Sequence, residues 1–213
     1  MPTQLEAGAT FFTLLLDNGE VFTWGDPRYP QCLGRTVDDD APATTPTRVP
    51  YIEGIRIKKI GSGGWMSGAL GSELDGGELY IWGRSEPGFE SKISALSKED
   101  DDTHVHVVEV RIDGMEADVV NFGIGAGHLI VAASSDTNNS EVRRAVLACG
   151  QGDFGQLGIG KRADFVEKLT EIPCLRGSVV CNVACGSKTS FVVVKKQEAT
   201  SELHDEGRRL DGA

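Results

Sequence analysis

Apolar residues along this chain gather in short runs cut off by turn-forming residues, without the sustained three-to-four spacing of amphipathic helices. Thr10–Leu16 is one such run; Asp17-Asn18-Gly19 then supplies residues that tolerate positive φ, and Glu20–Gly25 (Glu-Val-Phe-Thr-Trp-Gly) resumes β-prone chemistry. Two runs joined in this way predict a hairpin. After a loop containing Pro27, Pro30 and Asp38–Asp40, two short strands are expected at Thr47–Pro50 and Ile55–Ile60. In the second, Ile55, Ile57 and Ile60 alternate with Arg56 and Lys58, as a strand with one buried face requires.

The same order then returns. Trp65–Leu70, the turn Asp75-Gly76-Gly77 and Glu78–Gly83 (Glu-Leu-Tyr-Ile-Trp-Gly) repeat the first hairpin, and the polar loop Arg84–Thr103 precedes strands expected at His104–Val110 and Asp118–Phe122. A third round opens at Ala126-Gly127-His128, with strands expected at Leu129–Ala133, Arg144–Cys149, Lys168–Ile172 and Val179–Ala184. Phe165, Val166, Leu169 and Ile172 also fit a helical period, so a short helix is the alternative there. Cys185-Gly186 and Thr189–Val194 begin a fourth round. The glycines Gly8, Gly63, Gly127 and Gly186 are separated by 55, 64 and 59 residues. Four short strands in a period of that size describe a propeller blade. The fold expected is all-β: a partial β-propeller of about three four-stranded blades plus one strand, in units near 8–62, 63–126, 127–185 and 186–195. The polar residues 196–213 are expected to form a disordered tail.

Composition narrows the function. A net charge of −11 disfavours direct binding to nucleic acid or to anionic membranes. Five cysteines, with no Cys-x-x-Cys pair, point to buried reduced thiols rather than a disulfide framework or a zinc site. The first residues carry neither the basic segment nor the apolar stretch of a signal peptide, and no run reaches the length of a membrane span. An intracellular protein, cytoplasmic or nuclear, is expected.

The densest local signal is Cys149–Gly160, with five glycines in twelve residues. Gly150, Gly152 and Gly155 match the dinucleotide pattern G-x-G-x-x-G. Gly158 and Gly160, however, occupy the turn in which a helix would have to begin. Gly155–Lys161 nearly spells a phosphate loop, but Arg162 stands where a magnesium-binding hydroxyl is needed. Set beside Trp24-Gly25 and Trp82-Gly83, Cys149-Gly150 reads as the third copy of one turn, and no cofactor is expected.

Aligned in this way, the rounds resemble the regulator of chromosome condensation repeat family. The resemblance rests on Ala7-Gly8, Asn18–Gly25, Glu78–Gly83, Ala126-Gly127-His128 and Gly152–Gly160, and extends over residues 5–195. It implies blades of a propeller that has seven in typical members, so this chain would either self-associate or be part of a longer ring. It also implies a docking platform. The founding member ejects nucleotide from a nuclear GTPase through polar residues just after the blade-opening Ala-Gly, and the positions here are Ala9-Thr10, Gly64-Trp65, His128 and Ser187-Lys188. None is an acid.

The function expected is therefore a non-catalytic protein-interaction module, with guanine-nucleotide exchange on a small GTPase as the alternative. Candidate contacts are Asp38, Asp39, Asp40, Trp65, Glu99, Asp100, Asp101, Asp102, His128 and Lys188; the acidic residues would steer a basic partner. For His128 the competing reading is a ring that satisfies backbone groups in a turn between blades. His104 and His106 share one strand face near Asp100–Asp102, a pattern that a metal site or a solvated acidic loop would both produce.

Overall fold

The computed structural model describes residues 1–75, 77–86, 91–96, 104–136 and 142–196. The expected disordered tail, apart from Lys196, lies outside them. Three antiparallel sheets of four strands and one of two follow each other along the chain. The first sheet holds β1 (Pro2–Ala7), β2 (Phe11–Leu16), β3 (Val21–Gly25) and β4 (Thr47–Arg48). The second holds β5 (Ile57–Gly63), β6 (Met66–Gly71), β7 (Leu79–Gly83) and β8 (Val105–Val107). A small hairpin, β9 (Arg111–Ile112) and β10 (Met115–Glu116), stands between this sheet and the third. The third holds β11 (Asp118–Ile124), β12 (His128–Asp136), β13 (Val142–Gln151) and β14 (Phe165–Glu171), and the last holds β15 (Val180–Cys185) and β16 (Ser190–Val194). The architecture is a partial propeller. Phe165–Glu171 is a strand rather than a helix, because its main chain pairs with β13 from Leu147 to Gln151.

Each sheet takes its first strand from just ahead of the blade-opening glycine, and these first strands, β1, β5, β11 and β15, pack against one another at the centre of the arc. β1 has no counterpart among the strands the hydrophobic pattern predicts. Its sequence is mostly polar and its residues are largely exposed: among the described residues the first sheet packs against the second alone, whereas the innermost strands β5 and β11 lie between sheets and bury Ile57, Ile60, Val119 and Phe122.

The middle sheets are apolar on both faces. Leu129 and Val131 of β12 enter the core shared with the second sheet, together with Leu70, Leu79 and Phe122. Ile130 and Ala132, pointing the other way, join Val146, Leu157, Ile172 and Val183 beneath the last sheet. A strand covered on both sides must be a continuous apolar run, and Leu129–Ala133 is one. Between the first two sheets, Leu15, Val21, Val49 and Ile52 meet Ala69, Tyr80 and a fully buried Trp82.

The register is the same in the three large sheets: a glycine at or next to the end of the third strand faces the residue opening the second, as Gly25↔Phe11, Gly83↔Met66 and Gly150↔His128. A Cβ on those glycines would lie 2.7 Å, 2.8 Å and 2.7 Å from the facing Cα. Side chains cannot occupy that space, and this accounts for the repeated Trp-Gly and Cys-Gly pairs. The register also locates the opening turns. The N–H groups of Gly8, Gly125 and Gly186 donate to the carbonyls of Phe11, His128 and Thr189 at 2.9, 2.8 and 2.9 Å. The third turn glycine is thus Gly125 rather than Gly127, and the spacings even out to 55, 62 and 61 residues.

Candidate functional site

The chemistry-bearing residues near the opening turns are used to join sheets. His128, at the start of β12, is fully buried, and its Nε2 lies 2.9 Å from the Ser190 hydroxyl on β16. That hydroxyl donates in turn to the Gln156 carbonyl at 2.8 Å. Burial pushes the imidazole pKa down to about 4, only partly offset by a backbone contact at Thr189. A neutral ring wedged between two sheets, with Gly125 against its edge, is poorly placed to meet a partner.

A second polar set lies four residues before each turn glycine: Gln4, Lys59, Asn121 and Asn182. In every inner strand the register slips by one residue just ahead of this position, a β-bulge that turns the side chain toward the next sheet. Gln4 donates to the Ile60 carbonyl at 2.7 Å and accepts from the Ile60 N–H at 3.0 Å. The Lys59 ammonium donates to Asn121 Oδ1 at 2.6 Å and to the Val183 carbonyl at 3.1 Å, linking three sheets. Desolvation lowers its pKa, and the acidic groups of Cys185 and Glu6 act the other way. Asn121 donates to the Cys181 carbonyl at 3.4 Å. These latches are legible only once the repeats are aligned on Gly125.

The acidic loop of the first round has a different setting. Asp38, Asp39 and Asp40 are exposed, and Asp38 Oδ1 accepts from the Ala41 N–H at 2.7 Å. Beneath them the buried Arg35 guanidinium donates to the carbonyls of Ala41 at 2.7 Å, Pro42 at 3.1 Å and Thr45 at 3.3 Å. Loop carbonyls accept from its two terminal nitrogens, the Asp38 carboxylate acts on its charge without a direct hydrogen bond, and all three aspartates are exposed on the braced turn.

The family model for the regulator of chromosome condensation (RCC1) repeat matches residues 18–70 and 145–193. The chain carries regulator of chromosome condensation repeats. Mouse RCC1 domain-containing protein 1 is 28% identical over 176 residues, which cover 73% of this chain and 45% of that protein. The Caenorhabditis elegans X-linked retinitis pigmentosa GTPase regulator homolog is 26% identical, over 81% of this chain and 11% of its own length. Among solved structures, Prp20p of Saccharomyces cerevisiae superposes with a TM-score of 0.64 at 21% identity, covering 93% of this chain and 44% of that one. The chain therefore spans less than half the length of each of these proteins.

Within the repeat frame, His128 takes the third-round place that Phe11 and Met66 take in the first two. The loop positions that correspond to Ala9-Thr10 and Gly64-Trp65 are Ala126-Gly127 rather than His128. Trp65 packs edge-on to Tyr29 at 4.8 Å, against the cluster of Phe11, Cys32, Leu33 and Ala43. Lys188 is exposed, with its ammonium 3.8 Å from the centre of the Phe154 ring. Glu99, Asp100, Asp101 and Asp102 lie outside the described residues, so the arrangement expected around His104 and His106 does too. Among the described residues no three His, Cys, Asp or Glu side chains converge as metal ligands, and no helix is long and apolar enough to cross a membrane.

The glycine-rich stretch does not open a helix. β13 runs through Gln151, and turns rather than a helix follow it. The thiols depart from expectation: Cys32 and Cys149 are buried, with pKa values pushed up to about 12 by desolvation, but Cys174 and Cys181 are exposed. Cys181 occupies the bulge of β15, where the inner strand meets solvent, and Cys174 lies in the short turn Pro173–Leu175.

Proposed function

We propose that the chain is a non-catalytic protein-interaction module that presents loops between its sheets to another protein. The observation that carries this reading is the Asp38–Asp40 loop: three outward carboxylates on a turn held from below by a buried arginine. A pre-shaped anionic loop loses little conformational entropy on binding and steers a basic partner. Prp20p, described by its binding to Gsp1p and histones, gives a relative of this fold with protein partners. Affinity capture tests the reading, with wild-type chain compared to a variant combining Asp38→Asn, Asp39→Asn and Asp40→Asn. Loss of the captured protein in the variant supports it, and an unchanged profile refutes the role of this loop.

The second reading, guanine-nucleotide exchange on a small GTPase, draws on the GTPase regulator homolog among the relatives. Against it, the loop positions that follow the turn glycines carry no carboxylate: Ala9-Thr10, Gly64-Trp65, Ala126-Gly127 and Ser187-Lys188. Accelerated release of a fluorescent guanine nucleotide from a small GTPase would favour this reading over the first.

A further inference from the structure

Tyr80 and Trp82 on β7 stand in the register that Leu147 and Cys149 take on β13. Tyr80 faces Ala69 and Trp82 faces Ser67 in the second sheet; Leu147 faces Val131 and Cys149 faces Leu129 in the third. Both pairs point toward the preceding sheet. Between the first and second sheets the phenol and the indole fill the gap. Trp82 is fully buried in a seat beside Gly34, where an added Cβ would meet its ring at 2.9 Å. Between the second and third sheets the smaller leucine and cysteine leave a cavity of about 320 Å³. Buried Leu129, Leu147 and Cys149 lie at its base, and half-buried Val107 and Leu169 nearer the mouth. Both bounding sheets have their four strands, so the space lies within the arc and not at its end.

A second feature sets this interface apart. The connections 49–56 and 172–179 each make one 3₁₀ turn, whereas 108–117 forms the hairpin β9–β10. Arg111 of that hairpin lies at the cavity mouth with Lys168 of β14. Both side chains are exposed, and among the described residues neither has an ion pair or a hydrogen bond. The acids at the mouth are engaged: Glu167 accepts from the Ser94 hydroxyl at 3.0 Å, and Glu109 has a partner as well.

We propose that this cavity binds a small planar aromatic carboxylate, with its ring between the leucine and valine walls and its carboxylate at the mouth, between Arg111 and Lys168. Apolar cavities that water does not fill favourably take up aromatic rings. Apolar walls with a few polar groups at one end are the usual make-up of a small-molecule site, and here the uncommitted groups are both cations. The seat of Trp82 shows that the spacing between neighbouring sheets admits a two-ring aromatic. The site lies apart from the Asp38–Asp40 loop and does not rest on the partner proposed for it.

The probe is naphthalene-2-carboxylate, titrated into the full chain by isothermal calorimetry. Saturable binding is expected. Arg111→Gln combined with Lys168→Gln, both at exposed positions, should weaken it about tenfold or more, and the uncharged naphthalene-2-methanol should bind the wild type more weakly by a similar factor. Cys149→Trp returns an indole to this register and should abolish binding, with urea unfolding showing that the variant is folded; if it is not, the exposed pair carries the test alone. No saturable binding, equal affinity of the double variant or of the methanol, or undiminished binding by folded Cys149→Trp overturns the proposal. Phe89 is the one aromatic residue outside the described residues. Binding that appears only in Phe89→Ala also overturns it, in favour of this chain's own side chain as the occupant.

Discussion

Protonation of His128 should loosen the seam between the third and last sheets. The ring is fully buried, bonded to Ser190, and held neutral with a pKa near 4, against about 6.5 for an exposed histidine. A folded-state pKa below the unfolded value means that the fold favours the neutral ring. The associated stability is complete above about pH 6.5 and is lost as the pH falls from there toward 4. With those two values, linkage gives a loss of about 2 kcal/mol between pH 7 and pH 5. Urea unfolding at both pH values, on wild type and on His128→Gln, measures it. The glutamine keeps a polar group facing Ser190 but does not titrate in this window. Carboxylates such as Asp26, held at about 2 by the Arg28 guanidinium, behave alike in both proteins and cancel in the comparison. Wild type should lose about 2 kcal/mol more than the variant. Parallel pH dependences would refute the placement of a neutral, buried imidazole between the sheets.

Other outcomes follow from packing and accessibility. Trp82→Ala empties the seat against Gly34 and should cost about 3–5 kcal/mol in urea unfolding; a cost near 1 kcal/mol would show that the seat collapses. Gly150→Ala sets a Cβ 2.7 Å from the His128 Cα at φ +100°, whereas Gly155→Ala, at φ +79°, meets nothing within 4 Å. Gly155→Ala should cost about 1 kcal/mol, the penalty of the left-handed conformation, and Gly150→Ala distinctly more; equal melting temperatures would contradict the tight register. An aromatic disulfide reagent should titrate Cys174 and Cys181 rapidly in the native protein and reach Cys32 and Cys149 only on unfolding. Rapid labelling of Cys149 would mean that the core between the second and third sheets opens readily.

The hairpins were legible because their signals are local: Asn18-Gly19 sets a turn, and runs such as Leu129–Ala133 must be apolar when both faces of a sheet are covered. β1 was not, because Pro2–Ala7 belongs to a sheet that is covered on one side only among the described residues and need not be apolar. The third round was set two residues late because Gly125 and Gly127 are both available, and only the bond from the Gly125 N–H to the His128 carbonyl distinguishes them. His128 stands out in the sequence as a lone imidazole in a turn. Its role depends on Ser190, 62 residues away, which no local pattern could indicate. Arg35 was not legible for the same reason: a charged residue after Leu33-Gly34 gives no sign that the carbonyls of Ala41, Pro42 and Thr45 will enclose it.

The frame residues are nearly interchangeable between rounds, and the loops between them are not. Leu33-Gly34 and Leu157-Gly158 take the same conformation in the first and third rounds, so the chain on either side of them leaves the sheets at matching places. In the first round that place presents Asp38, Asp39 and Asp40. In the third it presents exposed Phe154, Lys161 and Arg162, with Lys188 from the last sheet lying over the Phe154 ring. The same scaffold position thus carries three exposed carboxylates in the first round and a mixture in the third, where Asp153 and Asp164 stand beside Lys161 and Arg162. Surface potential decides steering at the distance of a Debye length, about 8–10 Å, so a partner meets these loops one at a time rather than the average charge. His128, Trp65 and Lys59 are all engaged in packing or bonding between elements, so in the proposed interaction module selectivity would come from the loop sequences.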